Sequence, residues 1–498
     1  MLSHVSPEPS TTISPRRRTL AMAVLIGASF MDLLDVTIMQ VALPSIRNDL
    51  HADAAQLEWI IAGYMLAFAS MLITGGRLGD AIGRRRAFLI GVAGFTLASL
   101  AGACSPDADL LIVARVAQGL FAAVMVPQGL STLQALYRPR ERARVYGMFG
   151  AISGMAAVAG PILGGVLVSG DVAGLGWRSV LLINVPVGIV LLVLGRAYIP
   201  DTRDTEPADR DLIAVALSAG GVVAVLYPIV EGHTLGWPAW SWAVMAGGVV
   251  LLALFVVRQR AVARAGRAPL LPGRLFANRG FSVGLVVQTV FQGSMNIVTL
   301  TLMLYVQSTL GYSALKAGMT ILAFALGAFA GFAIAGPFAR FGRHLMFVGA
   351  LLQSTGTFVT LLIVLHEGAA LTPWDIVAPL AVMGAGLSML VMPLVEVALA
   401  LVPVRWAGAA SGVFATFQQL GAAVGIAVAG TTYFAVLGTD LAVPHAAHAF
   451  AVTAALGAAG YLIAAFASLA LPNREQVLAH EEAVRAAIEA EEEGLSAI

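Results

Sequence analysis

Asp32 and Asp35 stand three residues apart in FMDLLDVTIMQVALPSI (30–46), a stretch otherwise rich in apolar residues. On a helix that spacing puts both on one face, about 60° apart. If the run lies in a bilayer, each charge costs at least ~2.5–3.5 kcal/mol unless it faces a cavity or a partner. Two carboxyls this close repel when both are ionised, which suits one of them to load and unload a proton near neutral pH. Arg115 is the candidate partner. It lies six residues into an apolar run that starts near Asp109, and Asp35 lies six residues before its own run ends near Val41. At ~1.5 Å per residue, both sit about 9 Å below the same membrane surface. An Asp35–Arg115 or Asp32–Arg115 contact is therefore expected in a state closed on one side. Arg115 stays charged and favours ionised aspartate, and its departure favours proton uptake. A fixed salt bridge that never titrates is the plain alternative, and it weighs more for Asp32.

The elements that must position these residues follow from composition. Of 498 residues, 59% are hydrophobic and 11% charged, against about 25% charged in an ordinary soluble domain. Too few charges are present to cover a soluble surface, so the chain is read as an all-α integral membrane protein facing lipid. Runs long enough to span fall at 19–41, 57–76, 87–104, 109–131, 146–168, 179–197, 212–230, 239–257, 281–306, 316–338, 345–366, 374–400, 407–436 and 449–471. That makes fourteen spans, with a very short break (CSPDAD) between the third and fourth. Of 29 basic residues one is lysine, Lys316, and 25 lie in the two tails or the loops after even-numbered spans. The positive-inside rule makes that side cytoplasmic, with both termini there. A multi-pass cell-membrane location follows.

Two connections divide the spans. One is the charged hinge 196–211, and the other is the basic segment 258–280, suited to the headgroup region beside anionic lipids. The organisation reads as a cytoplasmic tail (1–18), a six-helix half (19–197), two extra helices with flanking loops (198–280), a second six-helix half (281–471) and a cytoplasmic tail (472–498). The 1–18 tail is read as disordered up to its three arginines. Internal echoes support two pseudo-symmetric halves: GMFGAISGMAAVAG (147–160) with GVFATFQQLGAAVG (412–425), QGLFAAVMVP (118–127) with AGLSMLVMP (385–393), and IGRRR (82–86) with FGRHL (341–345). Repeats of this kind place a substrate site between the halves near the bilayer midplane.

Further polar residues stand where lipid would reject them. Gln288, Gln292, Asn296 and Thr299 form a stripe on the ninth span, expected to line the cavity, with interhelical hydrogen bonding as the alternative. Glu396 and Gln418 are further cavity candidates. Phe30, Met31, Phe121 and Met125 offer a soft, adaptable wall, although plain packing explains any one of them. In the fifth span Gly150, Gly154, Gly160, Gly164 and Gly165 give close-packing faces, and Pro161 interrupts the hydrogen-bond ladder. GRLGDAIGRRR (76–86) joins the second and third spans. Gly76 and Gly83 permit a tight turn, Asp80 can accept from helix amides or pair with arginine, and Arg84 and Arg85 anchor at headgroups. A purely topological turn is the bland alternative.

This last stretch resembles the signature loop of the major facilitator superfamily, GxLxDxxGRRx, at Gly76, Leu78, Asp80, Gly83, Arg84 and Arg85. RVAQG (115–119) resembles the family's fourth-helix motif, and GAISGMAAVAGPILGG (150–165) resembles its antiporter motif. LDVTIMQVALP (34–44) is similar to the first-helix motif of the fourteen-helix drug–proton antiporters, with Gln40 in place of asparagine. GWRSVLLINVP (176–186) and LYVQSTLGYSALKAG (304–318) also look like that branch. Ala339 falls where a second-half counterpart of Asp80 would stand, and Ile426 where Pro161 would. The resemblance implies a proton-driven exporter of lipophilic drugs, antibiotics or toxic metabolites that works by alternating access. Asp35 would carry the proton, Asp32 and Arg115 would tune it, and the 76–86 loop would act as the switch. Proton-coupled uptake of a nutrient is the rival.

No phosphate-binding GxxxxGK[ST] loop, HExxH or nucleophile elbow occurs, so an ATP-driven or enzymatic reading has no support. A lone cysteine, Cys104, excludes a disulfide framework. No metal, cofactor or nucleic acid is expected, and the proton gradient is the energy source. The expected partners are a lipophilic small molecule, protons and the lipid bilayer. A monomer is expected, and the short, featureless outer loops leave a periplasmic adaptor open.

Overall fold

The structure, a computed structural model, describes residues 14–472 except 138–140, 142–144, 146–147, 149–151, 153–154, 157–158, 161, 169, 171–173, 201–210, 232–235, 268, 272, 313, 339–340, 401, 403–405 and 439–441. Thirteen helices among the described residues are long and apolar enough to cross a membrane. They are α1 (Pro15–Leu50), α2 (Ala54–Ile82), α3 (Arg84–Ala103), α4 (Ala108–Leu136), α5 (Arg178–Tyr198, built of Arg178–Leu182 and Asn184–Tyr198 on either side of Ile183), α6 (Leu212–Glu231), α7 (Ala239–Arg264), α8 (Arg279–Leu304), α9 (Ala314–Phe338), α10 (Arg343–Glu367), α11 (Val377–Ala400), α12 (Ala407–Leu437) and α13 (Val443–Ser468). They match thirteen of the fourteen expected spans. The other, 146–168, is described only in part, and its described residues are helical. Gly150, Gly154 and Pro161, most of the charged hinge and the tail from 473 also lie outside them.

Capping explains where the helices depart from the hydropathy reading. α1 begins at Pro15, because Ser14 Oγ accepts from the Arg17 amide at 3.3 Å and proline needs no donor in the first turn. Arg16, Arg17 and Arg18 therefore form a helical turn rather than the end of a disordered tail. Asp107 caps α4, its Oδ1 accepting from the Leu110 amide at 2.8 Å, so α3 and α4 are distinct helices. The turns before α3 and α10 use Gly83 at φ +97° and Gly342 at φ +48°, values that favour glycine. The echo between 82–86 and 341–345 thus places a positive-φ glycine before each helix, with ψ of 133° at Gly83 and −114° at Gly342.

The molecule is turned outside in, as too little charge requires. Leu97, Val113, Val193 and Phe466 are more than 60% exposed, while Asp35, Gln128 and Gln353 are fully buried. Small residues let the helix axes close. A Cβ on Gly75 of α2 would stand 2.0 Å from Ala123 O of α4, and one on Gly327 of α9 would stand 2.0 Å from Ala381 O of α11. α2 and α12 meet across the middle of the molecule, with Gly76 against Gly408 and Leu72 against Gly412. Near the same end, Gln134 Nε2 of α4 donates to Leu399 O of α11 at 2.8 Å. The α6–α7 pair sits over this seam. Val222, Leu226 and Ile229 of α6 join Leu66 and Ala69 of α2 and Ala423 and Ala427 of α12 in one apolar cluster.

Candidate functional site

The site begins where α2 and α4 cross. A Cβ on Gly119 would stand 2.3 Å from Tyr64 O, so only glycine lets α4 come this near. That approach presses the Arg115 side chain onto α2, where its Nε donates to Ile60 O at 3.1 Å and its guanidinium carbon lies 4.4 Å from the Tyr64 ring centroid. Arg115 Nη1 then reaches Asp35 Oδ2 of α1 at 2.5 Å, with the two residues 1% and 0% exposed. Depth matching in the sequence anticipated this pair.

Asp35 has two further donors. Gln118 Nε2 reaches its Oδ1 at 2.8 Å, and Asn184 Nδ2 of α5 reaches the same oxygen at 2.6 Å. Gln118 also donates to Ser99 Oγ of α3 at 2.8 Å, and its Oε1 accepts from Arg115 Nη1 at 2.7 Å. Helices α1 to α5 therefore converge on one carboxylate. A buried ion pair survives only when its remaining hydrogen-bonding capacity is met, and here amide donors meet it. Gln118, Asn184, Ser99 and Tyr64 carry no assigned role in the sequence reading. Gln118 and Asn184 lie within quoted motifs (RVAQG and INVP), and a search for amides in apolar runs would have found both.

Asp32 lies one turn from Asp35 and is 5% exposed. Its Oδ1 accepts from the Tyr64 hydroxyl. Arg115 thus touches Asp35 directly, and Asp32 is reached through the tyrosine.

A second charged cluster occupies the 76–86 turn. Asp80, 3% exposed, lies 3.6 Å from Arg77 Nη1 and 3.7 Å from Arg84 Nη2. Its carboxylate abuts the start of α12, where a Cβ on Gly408 would stand 2.7 Å from Oδ1. Gly79 admits the Gln128 side chain, whose Nε2 donates to Gly75 O at 2.8 Å. Arg77 Nη2 donates to Pro269 O at 2.9 Å, joining the basic 258–280 segment to the turn. Arg85 is half-buried beside it. Of the small-residue stretch, Gly160 and Gly164 pack on Thr37, Ile38 and Val41 of α1, while nothing comes within 4 Å of a Cβ at Gly165.

The expected cavity residues are not all brought together. Gln288 is buried, and its Oε1 has no hydrogen-bond partner among the described residues. Gln292 and Asn296 are half-buried, and Asn296 Nδ2 donates to Gln292 O within α8 at 2.9 Å. Glu396, Gln418 and Phe30 are half-buried, and Met31 is buried. Phe121 and Met125 lie in the α3–α4 seam, where Gly94 and Gly91 make room for them. Helix packing accounts for that pair.

Outside the spans, Asp49 Oδ2 accepts from Trp177 Nε1 at 2.9 Å and Arg178 Nη1 at 2.5 Å. These hydrogen bonds, the indole's first, hold its carboxyl below the usual carboxylate range.

The chain is similar to known proteins in sequence and in fold. Residues 25–426 match the family model described as Major Facilitator Superfamily. The probable actinorhodin transporter of Streptomyces coelicolor is 38% identical over 426 residues, 85% of this chain and 74% of that protein. The multidrug efflux pump LfrA of Mycolicibacterium smegmatis is 32% identical over 450 residues, 89% of this chain and 86% of its own. The crystal structure of the human organic anion transporter MFSD10 superposes with a TM-score of 0.63 at 16% identity, covering 91% of this chain and 100% of that one. That last likeness shows the fold alone.

Proposed function

The chain belongs to the major facilitator superfamily, and from that premise we propose that it exports lipophilic small molecules in exchange for protons, by alternating access. The relatives' printed names include an antibiotic transporter and a multidrug efflux pump, which favours export over uptake. The Asp35–Arg115 pair carries the coupling half of this reading. With Arg115 in place, Asp35 has its countercharge at 2.5 Å. When the helices part and Arg115 withdraws, a buried carboxylate is left with only neutral donors, and the neutral acid becomes the favoured form. Proton uptake is thereby tied to a change of packing, and no cofactor is needed.

In this reading the chain is six, two and six helices, with the arginine-rich ends and both termini cytoplasmic. Contact of Asp80 with the start of α12 closes the cytoplasmic side, and breaking it opens that side. The cavity takes its polarity from Asp32, Gln288, Gln292, Asn296, Glu396 and Gln418, and its adaptable wall from residues such as Phe30 and Met31. The protein acts as a monomer in the cell membrane.

The test is ethidium–proton exchange in proteoliposomes under an imposed pH gradient, alongside efflux of a broad drug panel from cells. Asp35→Asn should abolish gradient-driven exchange while leaving folding and ethidium binding measurable. Undiminished exchange by the variant would sink the role given to Asp35. A panel in which no compound is extruded by the wild type would sink drug export. Sidedness is read from the lone, exposed Cys104. A membrane-impermeant maleimide should label it in intact cells, and labelling only after lysis would reverse the orientation.

A further inference from the structure

We propose that Tyr64 is a positioning residue that makes the proton occupancy of Asp32 depend on the state of the Asp35–Arg115 pair. The proposal rests on the coupling read above and adds to it a second carboxylate and the side chain that connects the two.

Tyr64 contacts both. Its hydroxyl donates to Asp32 Oδ1, and its ring carries the Arg115 guanidinium at 4.4 Å. It is 2% exposed, so neither contact is diluted by solvent. Its ring also stacks with that of Phe68, at a centroid distance of 6.0 Å. Its backbone is fixed by the close crossing at Gly119, and Arg115 grips Ile60 O one turn earlier on α2. Movement of Arg115 away from Asp35 therefore cannot leave Tyr64 unaffected, because the guanidinium bears on the ring whose hydroxyl holds Asp32. A cation over an aromatic face is attracted by the ring and strengthened by desolvation.

The surroundings leave few competing groups. Among the described residues, Tyr64 is the ionisable group that α2 turns toward the carboxylates, and Arg115 is the one from α4. From α5 the neutral Asn184 reaches Asp35. From 146–168, Ala156 and Gly160 meet α1 at Thr37. Asp32, Asp35, Arg115 and Tyr64 thus form one connected unit, in which a change of charge at one member acts on the others.

The test needs no transport substrate. The carboxyl C=O infrared band of Asp32 is identified by its loss in Asp32→Asn, then titrated in purified protein in phosphatidylethanolamine–phosphatidylglycerol vesicles. Tyr64→Phe, which keeps the ring, should move the Asp32 midpoint by about one pH unit, roughly tenfold in proton affinity. Asp35→Asn should also move it, by a comparable amount in the Tyr64 background and by less than about threefold in Tyr64→Phe. An equal Asp35→Asn shift in both backgrounds overturns the proposal. So does a midpoint unmoved by Tyr64→Phe, or an Asp32 band that never titrates between about pH 4 and 10. Failure of the wild type to extrude any compound of the drug panel would remove the transport reading, and this titration would still decide whether Tyr64 links the two carboxyls.

Discussion

Helices α1–α5 and α8–α13 turn at equivalent glycines, Gly83 and Gly342, and both sets close their packing with small residues. At their centres they differ. The sequence echo sets Gly119 against Gly386, an offset of 386 − 119 = 267, which puts Val382 at the place of Arg115 and Ala385 at that of Gln118. In the first set a carboxylate, a guanidinium and amides converge. In the second the buried polar groups are neutral among the described residues. Gln353 is fully buried with neither amide atom hydrogen-bonded among the described residues, and the Tyr461 hydroxyl is likewise unpartnered there. A proton can rearrange the first constellation because it changes the charge of a member. It can do little to the second, whose members stay neutral across the physiological range. One scaffold thus places its buried charged pair on one side of the seam.

The largest effect that tests this contrast is expected at Arg115. Arg115→Ala leaves Asp35 buried without its countercharge and should cost about 3–5 kcal/mol of stability, read by thermal unfolding in detergent. Arg115→Ala with Asp35→Asn should recover much of that loss. A single variant as stable as the wild type would break the claim that charge is concentrated there.

A smaller effect of opposite sign should separate buried amides in the two sets. Gln353→Leu removes an amide without partners and should stabilise by ~1 kcal/mol, whereas Gln118→Leu strips a donor from Asp35 and should destabilise by ~1–3 kcal/mol. Equal effects would mean that the two amides do the same work.

The smallest effect belongs to Asp49, away from both centres. Its carboxyl is held below the usual range by Trp177 and Arg178 in the folded chain. The stabilisation is therefore fully present above the unfolded value, about pH 4, and is lost as pH falls through the lower folded value. The melting-temperature gap between wild type and Asp49→Asn should be open near pH 7 and should shrink below about pH 4. A gap independent of pH would make the contact steric rather than ionic.

Much of the fold could be read along the chain. Hydrocarbon demands runs of about 20 apolar residues, and that arithmetic located all thirteen described spans. It misplaced the start of α1, because the Ser14–Pro15 cap acts through backbone geometry that hydropathy ignores. The Asp35–Arg115 pair was legible because helix rise converts residue number into depth. Depth says nothing about azimuth. Phe121 and Met125 therefore looked like cavity wall, although they face Gly94 and Gly91 of α3, and the stripe on α8 splits into a buried Gln288 and a half-buried Gln292 and Asn296.

The sequence by itself determined that this chain lives in lipid, roughly where its helices begin and end, and that two carboxyls and an arginine at matched depth need partners. Those follow from solvation and helix rise, which are local. Only the tertiary structure decided which donors complete Asp35, that Tyr64 stands between Asp32 and Arg115, and that Asp80 meets the start of α12. Each of these depends on how near two helices approach and on which faces they turn toward each other. Glycines such as Gly119 and Gly408 set that approach, and their effect appears only once the second helix is in place.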